Sequence, residues 1–112
     1  MKRTFFALLV VCLPFAADAA IPDFKTAAVS VTTTRVKLRT SLRLDMARQA
    51  LVCVPSDAAG TVYVGDATVT AANGIPVEPG KCYASGPHLA SGVELYGIVA
   101  SGTVAVRVQE SY

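Results

Sequence analysis

Thr61-Val62-Tyr63-Val64-Gly65-Asp66-Ala67-Thr68-Val69-Thr70-Ala71-Ala72-Asn73-Gly74-Ile75-Pro76-Val77-Glu78-Pro79-Gly80 decides how this chain folds. Thr61 to Val64 reads as a strand, rich in β-branched and aromatic side chains. Gly65-Asp66 makes a corner, and Thr68 to Thr70 resumes extended backbone. Asn73-Gly74 is a strong turn signal, because both residues tolerate positive φ. Ile75 and Val77, interleaved with Pro76 and followed by Pro79, form an extended rim segment, since proline cannot donate in a central ladder. Pro79-Gly80 turns the chain again. Cys53 precedes the stretch and Cys82 follows it.

Upstream, Ala50-Leu51-Val52-Cys53-Val54 is apolar at both parities, the pattern of a central strand buried on two faces. Pro55 to Gly60 is turn chemistry, so Thr61 to Val64 is expected as the returning strand of a hairpin. Val29 and Val31 alternate with Ser30 and Thr32 as a strand from Ala27 onward. Arg35, Lys37 and Arg39 alternate with Val36, Leu38 and Thr40, which puts three basic side chains on one strand face. Such a stripe either guards a solvated edge against aggregation or docks an acidic partner. Ser41 to Gln49 is ambiguous between an irregular connection, a short strand and one helical turn. Downstream, Lys81 to Tyr83 is a short strand. Val93 to Ala100 is another, with Leu95 opposed in parity to Tyr96 and Ile98. After a turn at Ser101-Gly102, Thr103 to Val108 places Val104, Val106 and Val108 on one face of a half-buried antiparallel strand. About seven short strands with turn signals between them predict an all-β domain, a small antiparallel sandwich or barrel.

The amino end is expected to lie outside that domain. Lys2 and Arg3 precede an apolar run from Phe5 to Ala17, and Ala17-Asp18-Ala19 supplies a small-x-small cleavage site. That is a secretory signal peptide over residues 1–19; its 13 apolar residues fall short of the ~20 that a membrane-spanning helix needs. Residues 20–26, with Pro22, read as a flexible lead, and 27–112 as one β domain. Removing 19 of the 112 residues leaves 93, and Cys12 goes with the leader. Two cysteines then remain in an exported chain, and a Cys53–Cys82 disulfide is expected, against the alternative of two buried thiols. It would close a loop of about 30 residues and contribute about 3.5 kcal/mol in the chain-entropy account.

Charge is uneven along the chain. Ala20 to Val54 carries six basic and two acidic residues; Pro55 to Tyr112 carries two basic and five acidic. The sum is close to neutral, which argues against a dedicated nucleic-acid binder. Catalytic grammar is sparse. His88 is the single histidine; Ser85 and Ser91 lie near it in sequence, but no nucleophile frame surrounds them. A loop histidine is the ordinary reading. Zinc lacks ligands; Asp57 and Asp66 do not make the oxygen-rich loop that calcium needs. No metal or other cofactor is expected. Tyr63, Tyr83, Tyr96 and Tyr112 offer either a sugar platform or half-buried strand residues with wet hydroxyls.

Val62-Tyr63-Val64-Gly65, Asn73-Gly74-Ile75-Pro76-Val77, Pro79-Gly80, Leu95-Tyr96-Gly97-Ile98 and Ser101-Gly102-Thr103-Val104-Ala105-Val106-Arg107-Val108, with Ala50-Leu51-Val52 ahead of them, resemble small β modules encoded by bacteriophages. The resemblance covers about residues 48–110. It implies a virion-associated protein: a capsid decoration, head fibre or tail accessory, without catalytic residues. The signal peptide and cysteine pair depart from such modules and suit a virion assembled at or through a membrane. The expected function is a non-enzymatic structural or accessory component of a phage particle, located in the periplasm, outside the cell or in the virion. Its partners would be other protein subunits, with Arg35, Lys37 and Arg39 as a docking stripe. The alternative is a periplasmic or secreted binding or adhesion module.

Overall fold

A computed structural model describes residues 24–41, 48–86, 89–90 and 92–111. The expected signal peptide, its cleavage site and His88 lie outside these residues. Eight strands form: β1 (Phe24–Val31), β2 (Val36–Lys37), β3 (Gln49–Cys53), β4 (Val62–Gly65), β5 (Ile75–Val77), β6 (Cys82–Ala84), β7 (Tyr96–Val99) and β8 (Val104–Ser111). They make two four-stranded sheets, ordered β1-β8-β3-β6 and β2-β7-β4-β5, with every pairing antiparallel. The domain is therefore a β-sandwich, with no helix among the described residues.

Period-two alternation builds the core. On β8, Val104, Val106 and Val108 are buried while Ala105 and Arg107 are exposed. β1, β3 and β4 contribute Val31, Val52, Val62 and Val64 from the facing sides, and Leu38 and Val99 fill between them. Branched side chains stiff at χ1 suit this flat packing.

Several expectations require correction. Thr61 to Val64 does not return beside Ala50 to Val54: β3 lies in the first sheet and β4 in the second. The turn at Pro55 to Gly60 carries the chain across the sandwich, because Val54 and Val62 both have to enter the same core. β3 is an interior strand, as expected, yet its outer face is only partly covered: Leu51 and Cys53 are half-buried. β1 starts at Phe24 and pairs with β8 through Phe24↔Ser111, so Phe24 to Thr26 belong to the sheet and not to a lead. Thr68 to Thr70 is turn and loop, not strand.

The Cys53–Cys82 disulfide is formed. The two residues sit directly opposite each other on β3 and β6, so the bridge staples a three-residue edge strand to the sheet interior. Around it, Val54 N–H donates to Lys81 O, and Gly80 N–H to Val54 O, both at 2.9 Å. Gly80 has φ of 83° in the turn closed by Lys81 N–H to Glu78 O, the positive φ that a Pro-Gly type II turn requires. A formed bridge fits an oxidising, exported environment.

Candidate functional site

Two surfaces and one buried cluster hold the side chains that bear on function. The buried cluster joins β3 and β8 to the segment after β2. Arg48 and Glu110 have side chains fully removed from solvent, and Arg48 Nε donates to Glu110 Oε2. Glu110 Oε1 accepts from the Thr40 backbone N–H at 2.8 Å and from its hydroxyl at 2.7 Å. Burial pushes the Glu110 carboxyl up. The Thr40 N–H, the Arg48 guanidinium and the Thr40 hydroxyl outweigh it, so the group titrates below its ordinary range. Because no solute reaches this cluster, its chemistry serves the fold. The signal for it was in the sequence: Glu110 continues the inward parity of Val104, Val106 and Val108, and Arg48 that of Ala50 and Val52.

The outer face of the second sheet is different. Tyr63 lies between buried Val62 and Val64, and so points outward; Tyr96 and Ile98 alternate likewise with buried Gly97 and Val99. Tyr63 stands opposite Ile98 on one side and Pro76 on the other. Tyr96 stands opposite Lys37 and Gly65. This assembles an aromatic and aliphatic row across the outer face. Tyr83 does not join it; that ring packs against the core from β6.

The loop from Asp66 to Asn73 folds back onto this same face. Val69 is buried at 2% exposure, outside the main core cluster. It lies over Gly65, where an added Cβ would come within 2.8 Å of Val69 Cγ2. At Gly74 an added Cβ would lie 2.7 Å from Tyr63 Cβ and 2.8 Å from Val69 Cγ2. Gly74 is not in the left-handed region, so close approach, and not the turn conformation expected of Asn73-Gly74, demands glycine here. Within the loop, Asp66 Oδ1 accepts from the Thr68 hydroxyl and N–H at 2.6 and 2.8 Å. Those bonds hold its carboxyl below the usual range.

The three basic residues of the expected docking stripe border this face, and all three are engaged within the chain. Arg35 Nε donates to Val69 O at 2.8 Å and so pins the loop. Lys37 and Arg39 straddle Glu94, each with a 3.4 Å ion pair. The Lys37 side chain remains 55% exposed, which leaves it able to meet a partner beside Tyr96.

On the outer face of the first sheet, β1, β3 and β8 present mostly small residues. A shallow depression there is lined by Thr26, Ala28, Leu51, Cys53, Arg107 and Gln109. No group of three or more His, Cys, Asp or Glu residues that could hold a metal ion occurs among the described residues.

Compared with protein-family models and with curated proteins, the chain matches none.

Proposed function

We propose that this chain is an exported, non-enzymatic subunit that holds to other protein subunits of an assembly. The observation that carries the reading is the outward row Ile98–Tyr63–Pro76, with Tyr96 and Lys37 beside it. Tyrosines on a rigid sheet supply large contact area at low entropic cost, and aromatic anchors dominate protein interfaces. Lys37, already beside Glu94, adds one accessible positive charge at the rim. The resemblance of residues 48–110 to phage-encoded modules narrows the assembly to a virion, in which the chain is a coat, decoration or fibre component.

The test is to purify particles and envelope fractions from producing cells. The reading expects the polypeptide in the particles, and expects Tyr63→Ala to be lost from them while the isolated domain stays folded. Particles lacking the polypeptide sink it. A second reading draws on one further observation: Tyr63 and Tyr96 are diagonal neighbours across β4 and β7, within reach of one another for aromatic side chains. That pair would suit an adhesion module stacking sugar rings, and a glycan-binding screen separates the two.

A further inference from the structure

The sandwich has four edge strands, and three of them are protected. β2 is two residues long and flanked by Arg35 and Arg39, with Lys37 inside it. β5 contains Pro76. β6 is three residues long and stapled by the disulfide. Short length, charge and proline are the devices that stop edges from pairing. β1 is neither short nor interrupted by proline. It runs eight residues, Phe24–Val31, in unbroken register with β8. Its only charge is Lys25 at one end, and its other edge pairs with no strand in its sheet; β7 meets the chain only past its end, where Val99 N–H donates to Thr32 O at 3.0 Å. Its N–H and C=O groups on that side form a ready template for one more strand.

We propose that β1 pairs antiparallel with β1 of a second copy of this chain, about a two-fold axis through Ala28, joining two four-stranded sheets into one of eight. Antiparallel partners share a face only when their residue numbers have the same parity. Centred on Ala28, this arrangement sets Thr26 opposite the copy's Ser30 on the outer face. It sets Ala27 opposite the copy's Val29 on the core side, and Lys25 opposite Val31. Every outward contact is then small: Thr26, Ala28 and Ser30 are exposed and make no clash. Val29, half-buried at the flank of the core, gains a cover.

Charge permits the same arrangement. Ala28 pairs with Arg107 within each copy. The two Arg107 side chains therefore stand three strand spacings apart, about 14 Å, beyond the ~8 Å screening length of physiological salt. The Lys25 side chains go to opposite ends of the paired strands. An edge contact of seven residues is smaller than a standard stable interface of about 1,600 Å², so a reversible dimer is expected. This inference is independent of the tyrosine face, which lies on the other sheet.

The test is sedimentation of the oxidised, secreted protein by analytical ultracentrifugation across micromolar to near-millimolar concentration. The wild type shifts from monomer towards dimer. Thr26→Lys combined with Ser30→Lys places like charges opposite each other twice across the axis, and weakens association about ten-fold. Thr26→Glu combined with Ser30→Lys places opposite charges there and strengthens it by a similar factor. Both positions are exposed, so each variant keeps the wild-type circular dichroism and melting curve. A chain that stays monomeric throughout, or a dimer indifferent to both charge patterns, overturns the proposal.

Discussion

Arg48 and Glu110 meet inside the sandwich, 62 residues apart in the chain and 2.5 Å apart in space. Neither side chain touches solvent. The carboxylate is well served, with Arg48 on one oxygen and Thr40 on the other. The guanidinium is not, because its two terminal nitrogens are buried without a hydrogen-bond partner among the described residues. The pair is therefore costly to bury and more costly to break.

Removing one partner tests this asymmetry. Arg48→Met leaves the Glu110 charge buried beside Thr40 but without its cationic partner. The expected loss is about 3–5 kcal/mol, a large share of the ~5–15 kcal/mol that holds a domain folded. Adding Glu110→Gln removes the stranded charge and keeps an acceptor for Thr40, so the double variant is more stable than Arg48→Met alone. Urea denaturation of both, with the slopes compared as well as the midpoints, measures the coupling.

Acid gives a second handle on the same residue. The folded carboxyl of Glu110 titrates below its ordinary 4.5. A depressed acid contributes stability that is fully present above the unfolded value and is lost as pH falls through the folded one. Stability carried by Glu110 should thus be flat from neutrality to about pH 5 and decline below 4.5. In Arg48→Met, protonation relieves the buried charge, so the gap between variant and wild type narrows on acidification. Denaturation curves at several pH values check both trends.

The disulfide makes a separate prediction. Cys53→Ser with Cys82→Ser removes the cross-link while keeping the side chains near in size. The chain-entropy account puts the loss at about 3.5 kcal/mol for a loop of this length. β6 pairs with the sheet through only three residues, so it should loosen before the rest. Amide exchange at Val54 and Ser85, whose N–H groups donate to Lys81 O and Ala50 O, should accelerate more than exchange in β8.

Much of the architecture could be read from alternation, and the largest departure has a plain cause. Val104, Val106 and Val108 on β8 announced a buried face, and the cysteine count announced the bridge. Local pattern says that the chain reverses at Pro55 to Gly60; it does not say which sheet receives the next strand. Thr61 to Val64 was therefore expected beside β3 and sits across the core from it. The same blindness applies to Arg35. Its parity placed it on a face with Lys37, but its bond to Val69 depends on a loop folding back over Gly65, which only the three-dimensional packing reveals. The buried pair was legible in principle, since Arg48 and Glu110 both keep the inward parity of their strands. Ionised side chains ordinarily face water unless they are paired, and the pairing across 62 residues appears only in the folded chain.

That folded-back loop predicts a contrast between two glycines. Gly74→Ala drives a methyl group into Tyr63 Cβ and Val69 Cγ2, at 2.7 and 2.8 Å. Tyr63 Cβ is fixed by its strand, so the loop has to lift, at a cost of about 1–3 kcal/mol. Gly60→Ala meets nothing within 4 Å and needs no left-handed backbone. It should leave stability unchanged or raise it by about 0.4–1 kcal/mol through the unfolded chain. Thermal melts of the two variants, run side by side, decide whether the loop is packed as described.

Tyr63 links the loop to the proposed docking face, and the two roles separate by choice of substitution. Tyr63→Phe keeps the ring against Ile98 and Pro76 and removes only the hydroxyl, so attachment to the assembly should fall modestly. Tyr63→Ala removes the ring. It should cost partner binding roughly 2 kcal/mol or more, the scale of an interface anchor. Its effect on folding should be smaller, because the ring is half-exposed and lies on the outer face. Isothermal titration against the isolated partner, paired with a melt of each variant, distinguishes an anchor from a strand residue that merely covers its neighbours. Equal affinities for wild type and Tyr63→Ala would move the docking site away from this sheet.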